Sequence, residues 1–150
     1  MFEKIEDVYY KIAHEIINVI PGEWDRAYLD AFIYKVDEVI SIGGSYYLNG
    51  TESFLDINTI DGEYVSSEAH LAFFELYKCM QKNTNDVPWN KCRFELLSDG
   101  SLDVKFKLDL DFEWYKSLDP DSEAFDNLNY QTVDLIKSWE GVPKDFDRNW

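Results

Sequence analysis

Basic residues are scarce in this chain. Among 150 residues there are 14 Lys and Arg against 30 Asp and Glu, a formal net charge of −16. A field of that sign repels phosphate backbones and anionic headgroups and draws in cationic partners, which argues against nucleic acid or a membrane surface as ligand. The same acidity also suits simple solubility, because charge speaks to association and not to fold. Cysteine is nearly absent: Cys79 and Cys92 form no C-x-x-C pair, so a redox motif or zinc ribbon is unsupported. Both fall in segments patterned as a helix and a strand, and they read as free buried thiols of a cytosolic protein. Apolar runs are short, none near the roughly 18 residues of a membrane span. Met1-Phe2-Glu3-Lys4 opens straight into an amphipathic pattern and lacks the basic-then-apolar order of a signal peptide. The only histidines, His14 and His70, lie on expected helices, and no G-x-S-x-G, P-loop or G-x-G-x-x-G motif is present. No catalytic residue, metal or cofactor is assigned.

Aromatic residues are plentiful at 17%, enough for a packed core in one domain spanning residues 1–150. Ile5, Val8, Tyr9, Ile12, Ile16, Val19 and Ile20 recur every three or four positions, predicting a helix over 2–20 that Pro21-Gly22 stops. Residues 24–34, 38–48 and 52–57 read as strands, with a bulge expected at Gly43-Gly44 and turns at 35–37 and Asn49-Gly50. Ser66 or Ser67 is expected to cap a second helix running to about Asn83 and burying Leu71, Phe74 and Tyr77, together with Phe73, Leu76 and Met80. Residues 89–97 and 102–110 form a hairpin around Ser98-Asp99-Gly100. Asp119-Pro120-Asp121 reads as a turn, and Val133–Trp139 as a short closing helix. The order is α-β-β-β-α-β-β-tail. That is an α+β fold, an antiparallel sheet of about five strands with an N-terminal and a central helix packed on it.

One stretch stands out. From Leu102 to Trp114 every even position is apolar and every odd one charged, the alternation of a half-buried strand. Its wet side changes from Lys105 and Lys107 to Asp109, Asp111 and Glu113. On a strand those three carboxylates would stand roughly 6–7 Å apart, an extended stripe better than a metal cage. Asp119-x-Asp121-x-Glu123 begins like a calcium loop. However, Ala124 takes the position needing glycine and Tyr130 the one needing a closing Glu. From Asp109 to Asp134 there are eight acids and one base, Lys116, interleaved with Phe112, Trp114, Tyr115, Phe125 and Tyr130. Carboxylates that steer and aromatics that anchor make a protein-binding patch; the same aromatics can instead close the core. The expected contacts are Asp109, Asp111, Glu113, Asp119, Asp121 and Glu123, with Trp114 and Tyr115 as anchors and Asp61 and Glu63 as a secondary patch. So many acids also leave open a carboxylate-dependent hydrolase, or a general acidic interaction module.

Ile20-Pro21-Gly22-Glu23-Trp24 followed by AYLDAFIY, then Pro88-Trp89 before FELLSDGSLDVKFKLD, and finally LIKSWEGVP, appear in one order across most of the chain. In these motifs the sequence resembles the YezG-type immunity protein family; VISIGGSYYLNGTESFLDI departs from its pattern. The resemblance implies a small acidic bacterial protein, cytoplasmic and not an enzyme, that neutralises a cognate secreted toxin, commonly a nuclease. A nuclease must be cationic to hold phosphates, so the charge argument and the resemblance converge on a basic toxin as partner.

Overall fold

The structure, a computed structural model, describes residues 5–36, 38–55, 59–60, 63–64, 68–81, 88–146 and 148. Helix α1 (Ile5–Val19) buries Val8, Ile12 and Ile16, three positions at spacing four. It is followed by strands β1 (Arg26–Lys35), β2 (Val39–Leu48) and β3 (Thr51–Phe54). Two short paired segments, β4 (Thr59–Ile60) and β5 (Glu63–Tyr64), precede α2 (Glu68–Met80). Then come β6 (Lys91–Leu97), β7 (Leu102–Lys107), α3 (Leu110–Lys116), α4 (Glu123–Asp126) and α5 (Tyr130–Ile136). The antiparallel α+β architecture matches the expectation. The main sheet runs β3-β2-β1-β6-β7, with every neighbouring pair antiparallel.

The turn chemistry explains the hairpins. Asn49 and Gly50, the two residues between β2 and β3, have φ of 50° and 81°. Two successive positive φ values match the right-handed twist of the flanking strands. Gly100 supplies the positive φ, 93°, between β6 and β7.

β1 is the central strand and is packed on both faces. Ala27, Leu29, Ala31 and Ile33 point to the α1/α2 layer, where they meet Phe73, Leu76, Cys92 and Phe94. Phe32 and Tyr34 point the other way, onto a second cluster built on Phe112, Ile136 and Val142. The tail is thus a third layer, three short helices covering one end of the sheet's second face.

Several expectations are corrected. The strand does not continue from Leu102 to Trp114: β7 ends at Lys107 and Asp109 caps a helix, so Asp109, Asp111 and Glu113 do not share a strand face. Asp109 accepts from the Phe112 amide, and Asp111 and Glu113 sit in the first helical turn, where carboxylates complement the helix dipole. The apolar alternation fails in burial as well, since Leu108 and Leu110 are exposed. Leu71 also points to solvent. Phe73, Phe74 and Leu76 are buried as expected, and Ala69, His70 and Ala72 complete the buried face of α2. Gly43-Gly44 carries no bulge; the β1–β2 register runs unbroken there and shifts between Ile33 and Lys35. Gly44 is required for a different reason: a Cβ there would collide with the Tyr28 carbonyl oxygen. The closing helix starts three residues earlier than expected, at Tyr130. Cys79 and Cys92 are free, Cys92 buried and Cys79 half-buried. The expected caps Ser66 and Ser67, and Asn83, lie outside the described residues.

Candidate partner-binding surface

The acids of the expected surface divide into two groups by what their carboxylates touch. Asp109, Asp111 and Glu113 face cations of this chain. Lys91 on β6 is wholly buried, and its Nζ donates to Asp109 Oδ2 at 2.5 Å, to Ile136 O at 2.8 Å and to Ser138 O at 2.6 Å. The ammonium lies 5.6 Å from the ring centroids of both Phe32 and Phe112. Burial holds the Lys91 amine below its ordinary value even beside the Asp109 carboxylate. Asn90 completes the joint. Its Nδ2 donates to Asp109 O and Glu113 Oε1, and its Oδ1 accepts from the Asp109 amide. Gly141, at φ 76°, passes so close that a Cβ there would lie 2.6 Å from Asp109 Oδ2. Asp111 takes both arms of Arg148, at 2.9 and 3.0 Å, while the guanidinium also donates to the carbonyls of Pro143, Lys144 and Phe146. Glu113 pairs with Lys116 at 2.7 Å, and Lys116 donates to Ile33 O.

The second group lies on the turn and the helices beyond. Asp119, Asp121, Glu123, Asp126 and Asp134 are exposed. Asp119 Oδ1 accepts from the Asp121 amide and its carbonyl from the Ser122 amide, which forms the expected turn. Ser122 caps α4 and Asn129 caps α5. Of the expected anchors, Trp114 packs partly buried against the Phe112 cluster, and Tyr115 stacks on Phe125 at 6.2 Å with 22° between the ring planes. Asp61 lies outside the described residues, and Glu63 is described only as backbone of β5, paired with Ile60.

Sequence reasoning missed Asn90, Lys91 and Arg148 as the fasteners of this surface. A signal was present: Asp-x-Asp-x-Glu at 109–113 is also the acid-rich first turn of a helix behind an Asp cap. The partner of a buried lysine, 18 residues away, leaves no local trace.

The sequence pattern of the family described as Immunity protein YezG-like matches residues 5–145. The chain belongs to this family. It is therefore an immunity protein, and its partner is a cognate toxin, as the resemblance in the Pro21–Trp24, Pro88–Trp89 and Leu135–Pro143 segments implies. A relative, the type VII secretion system protein EsaG of Staphylococcus aureus (strain NCTC 8325 / PS 47), is 29% identical over 116 residues, 69% of this chain and 68% of that protein.

This YezG-like protein also has a cleft of about 430 Å³ on the part of the second sheet face that the tail leaves open. Asp30 and Arg93, opposite each other on β1 and β6, form a two-pronged pair at 2.7 Å in its wall. Arg93 also lies 4.4 Å from the Tyr28 ring centroid and 5.4 Å from that of Trp139. Burial raises the Asp30 carboxyl above its usual value, against the opposing pull of Arg93. Among the described residues no group of three or more His, Cys, Asp or Glu converges as metal ligands would, and no helix is long and apolar enough to cross a membrane.

Proposed function

We propose that this immunity protein acts in the cytoplasm by binding a basic toxin, a nuclease, through its acidic C-terminal surface, and that it blocks the toxin by occupancy without turnover. The observation that carries this reading is the second group of acids. Asp121, Glu123, Asp126 and Asp134 are exposed and take part in no ion pair among the described residues, in a chain of net charge −16. Carboxylates with no internal cation are the ones free to meet an external cation, at the cost of little more than surface water. Within the surface, Asp119, Asp121 and Glu123 meet the toxin, and Tyr115 and Trp114 back it. Asp109, Asp111 and Glu113 hold the helices that present it, with only the outer edge of Glu113 in reach of the partner. Such charge supports rapid capture, with opposite-sign steering lifting association to about 10⁸–10⁹ M⁻¹s⁻¹.

Titration decides the mode of action. The chain is added in steps to the product of the adjacent upstream gene, with nucleic acid cleavage as the readout. Occupancy gives a linear loss of cleavage ending at a fixed molar ratio. Complete inactivation by a small fraction of one equivalent would show turnover instead, and undiminished cleavage with both proteins folded would remove this toxin as the partner.

A further inference from the structure

Beside the acidic turn lies a groove of about 480 Å³ between α3, α4 and α5. Tyr115 and Phe125, stacked on each other, form one wall, and Tyr130 stands at the mouth with 90% of its surface exposed. Asp126 and Asp134 line it as well, and neither carboxylate has a cationic partner among the described residues. The one base in the lining is Lys137, whose Nζ sits 5.6 Å from the Tyr115 ring centroid. The aromatic wall thus already carries one cation from within the chain, and two carboxylates against one ammonium leave the groove negative.

From this arrangement we infer that the groove is the seat of one arginine side chain presented by the toxin. The inference rests on the toxin-binding reading above and adds which chemistry is recognised and where. A guanidinium suits the groove better than an ammonium: it is planar, stacks on aromatic faces, and its donors meet two carboxylates from one side chain. Tyr130 is the lid of such a seat. A large aromatic ring with almost no intramolecular contact contributes to binding by covering an incoming side chain, as interface tyrosines do. The groove differs from the Asp119–Glu123 turn in having walls: the turn steers from a distance, and the groove fixes one residue of the partner.

The test uses the full chain labelled for NMR and three blocked tripeptides, Gly-Arg-Gly, Gly-Lys-Gly and Gly-citrulline-Gly. Citrulline keeps the shape of arginine without its charge. The arginine peptide is expected to shift the amides of Asp126, Tyr130 and Asp134 saturably, with the citrulline peptide weaker by about tenfold and lysine between. Asp126→Asn with Asp134→Asn is expected to weaken the arginine peptide by about tenfold, while Lys137→Gln tightens it by removing the resident cation. Neither carboxylate has a hydrogen-bond or ion-pair partner among the described residues, so unchanged spectra elsewhere report an intact variant. Equal responses to arginine and citrulline, or shifts spread evenly over Asp119, Asp121 and Glu123, would overturn the groove as a site. The same double variant is then mixed with the toxin. Binding as tight as the parent's would overturn the seat and leave the toxin-binding reading standing. Failure of the parent itself to bind would count against that reading, with the peptide result still deciding the groove.

Discussion

Lys91 and Asp109 are joined by an ammonium–carboxylate bond of 2.5 Å at the seam between the sheet and the tail. The lysine is fully enclosed, and the two carbonyls it also holds, Ile136 and Ser138, close the end of α5 onto the same point. One side chain therefore ties the start of α3 and the end of α5 to β6. Removing the lysine alone leaves a mostly buried carboxylate without its cation, which is expected to cost about 3–5 kcal/mol of stability. Lys91→Met combined with Asp109→Asn is expected to recover much of that loss, because asparagine still caps α3 and no buried charge is left unpaired. Denaturant midpoints for the two single variants and the double variant measure the coupling; strictly additive losses would contradict the joint.

The two groups of acids separate experimentally. Asp111→Asn releases Arg148 and the carbonyls that Arg148 gathers, so it is expected to lower the melting temperature. Asp121 and Glu123 touch no cation among the described residues, so Asp121→Asn and Glu123→Gln are expected to leave the melting temperature unchanged while slowing association with the toxin. Thermal melts and stopped-flow rates on the same three proteins check both halves. A fall in stability for Asp121→Asn, or an unchanged association rate for both exposed variants, would contradict the division.

How far the sequence reveals this division follows from the range of the interactions. Helix α1 was legible because its apolar face repeats within one segment, and the hairpins because Asn49-Gly50 and Asp99-Gly100 specify turns locally. Residues 108–114 look like strand because the alternating pattern carries past Lys107 into the first turn of a helix. Over that short span, period two and a capped first turn place the same acids at the same spacing. Asn90, just before β6, and Lys91, its first residue, lie 18 residues or more upstream and hold Asp109 as a cap and not a strand residue. The acidic surface as a whole was visible as composition. Which of its members face inward depended on tertiary partners such as Arg148, 37 residues from Asp111.

Asp30 carries a pH signature. Its carboxyl is raised by burial, so near and above the ordinary carboxylate range the folded protein keeps a proton that the unfolded chain has released. The contribution of this group to stability is thus full below an unfolded value of about 3.9 and is lost as pH rises through the raised folded value. Asp30→Asn removes the titration. The stability gap between parent and variant is expected to narrow as pH rises from about 4 through the raised folded value, as read from urea midpoints at each pH. A gap that widens over that range would show that Arg93, not burial, dominates the Asp30 carboxyl.

Gly43 and Gly44 are neighbours on β2 with opposite tolerance. A methyl group at Gly44 meets the Tyr28 backbone, which cannot yield as a side chain would, and Gly44→Ala is expected to cost about 1–3 kcal/mol or more. At Gly43 the space is open, and Gly43→Ala is expected to fold with the parent's stability. Urea denaturation of the pair checks the contrast. Equal losses at both positions would point to a general intolerance of β2 and not to the Tyr28 contact.

The measurement closest to the central claim is the association rate with the toxin across a salt series. It compares the parent with a variant carrying Asp119→Lys, Asp121→Lys and Glu123→Lys. For the parent the rate is predicted to fall steeply as salt screens the acidic surface. For the reversed variant the rate is predicted to be far lower at low salt and to rise or stay flat as salt increases. A folded variant that associates at the parent's rate, with the same salt dependence, would contradict capture through the acidic C-terminal surface.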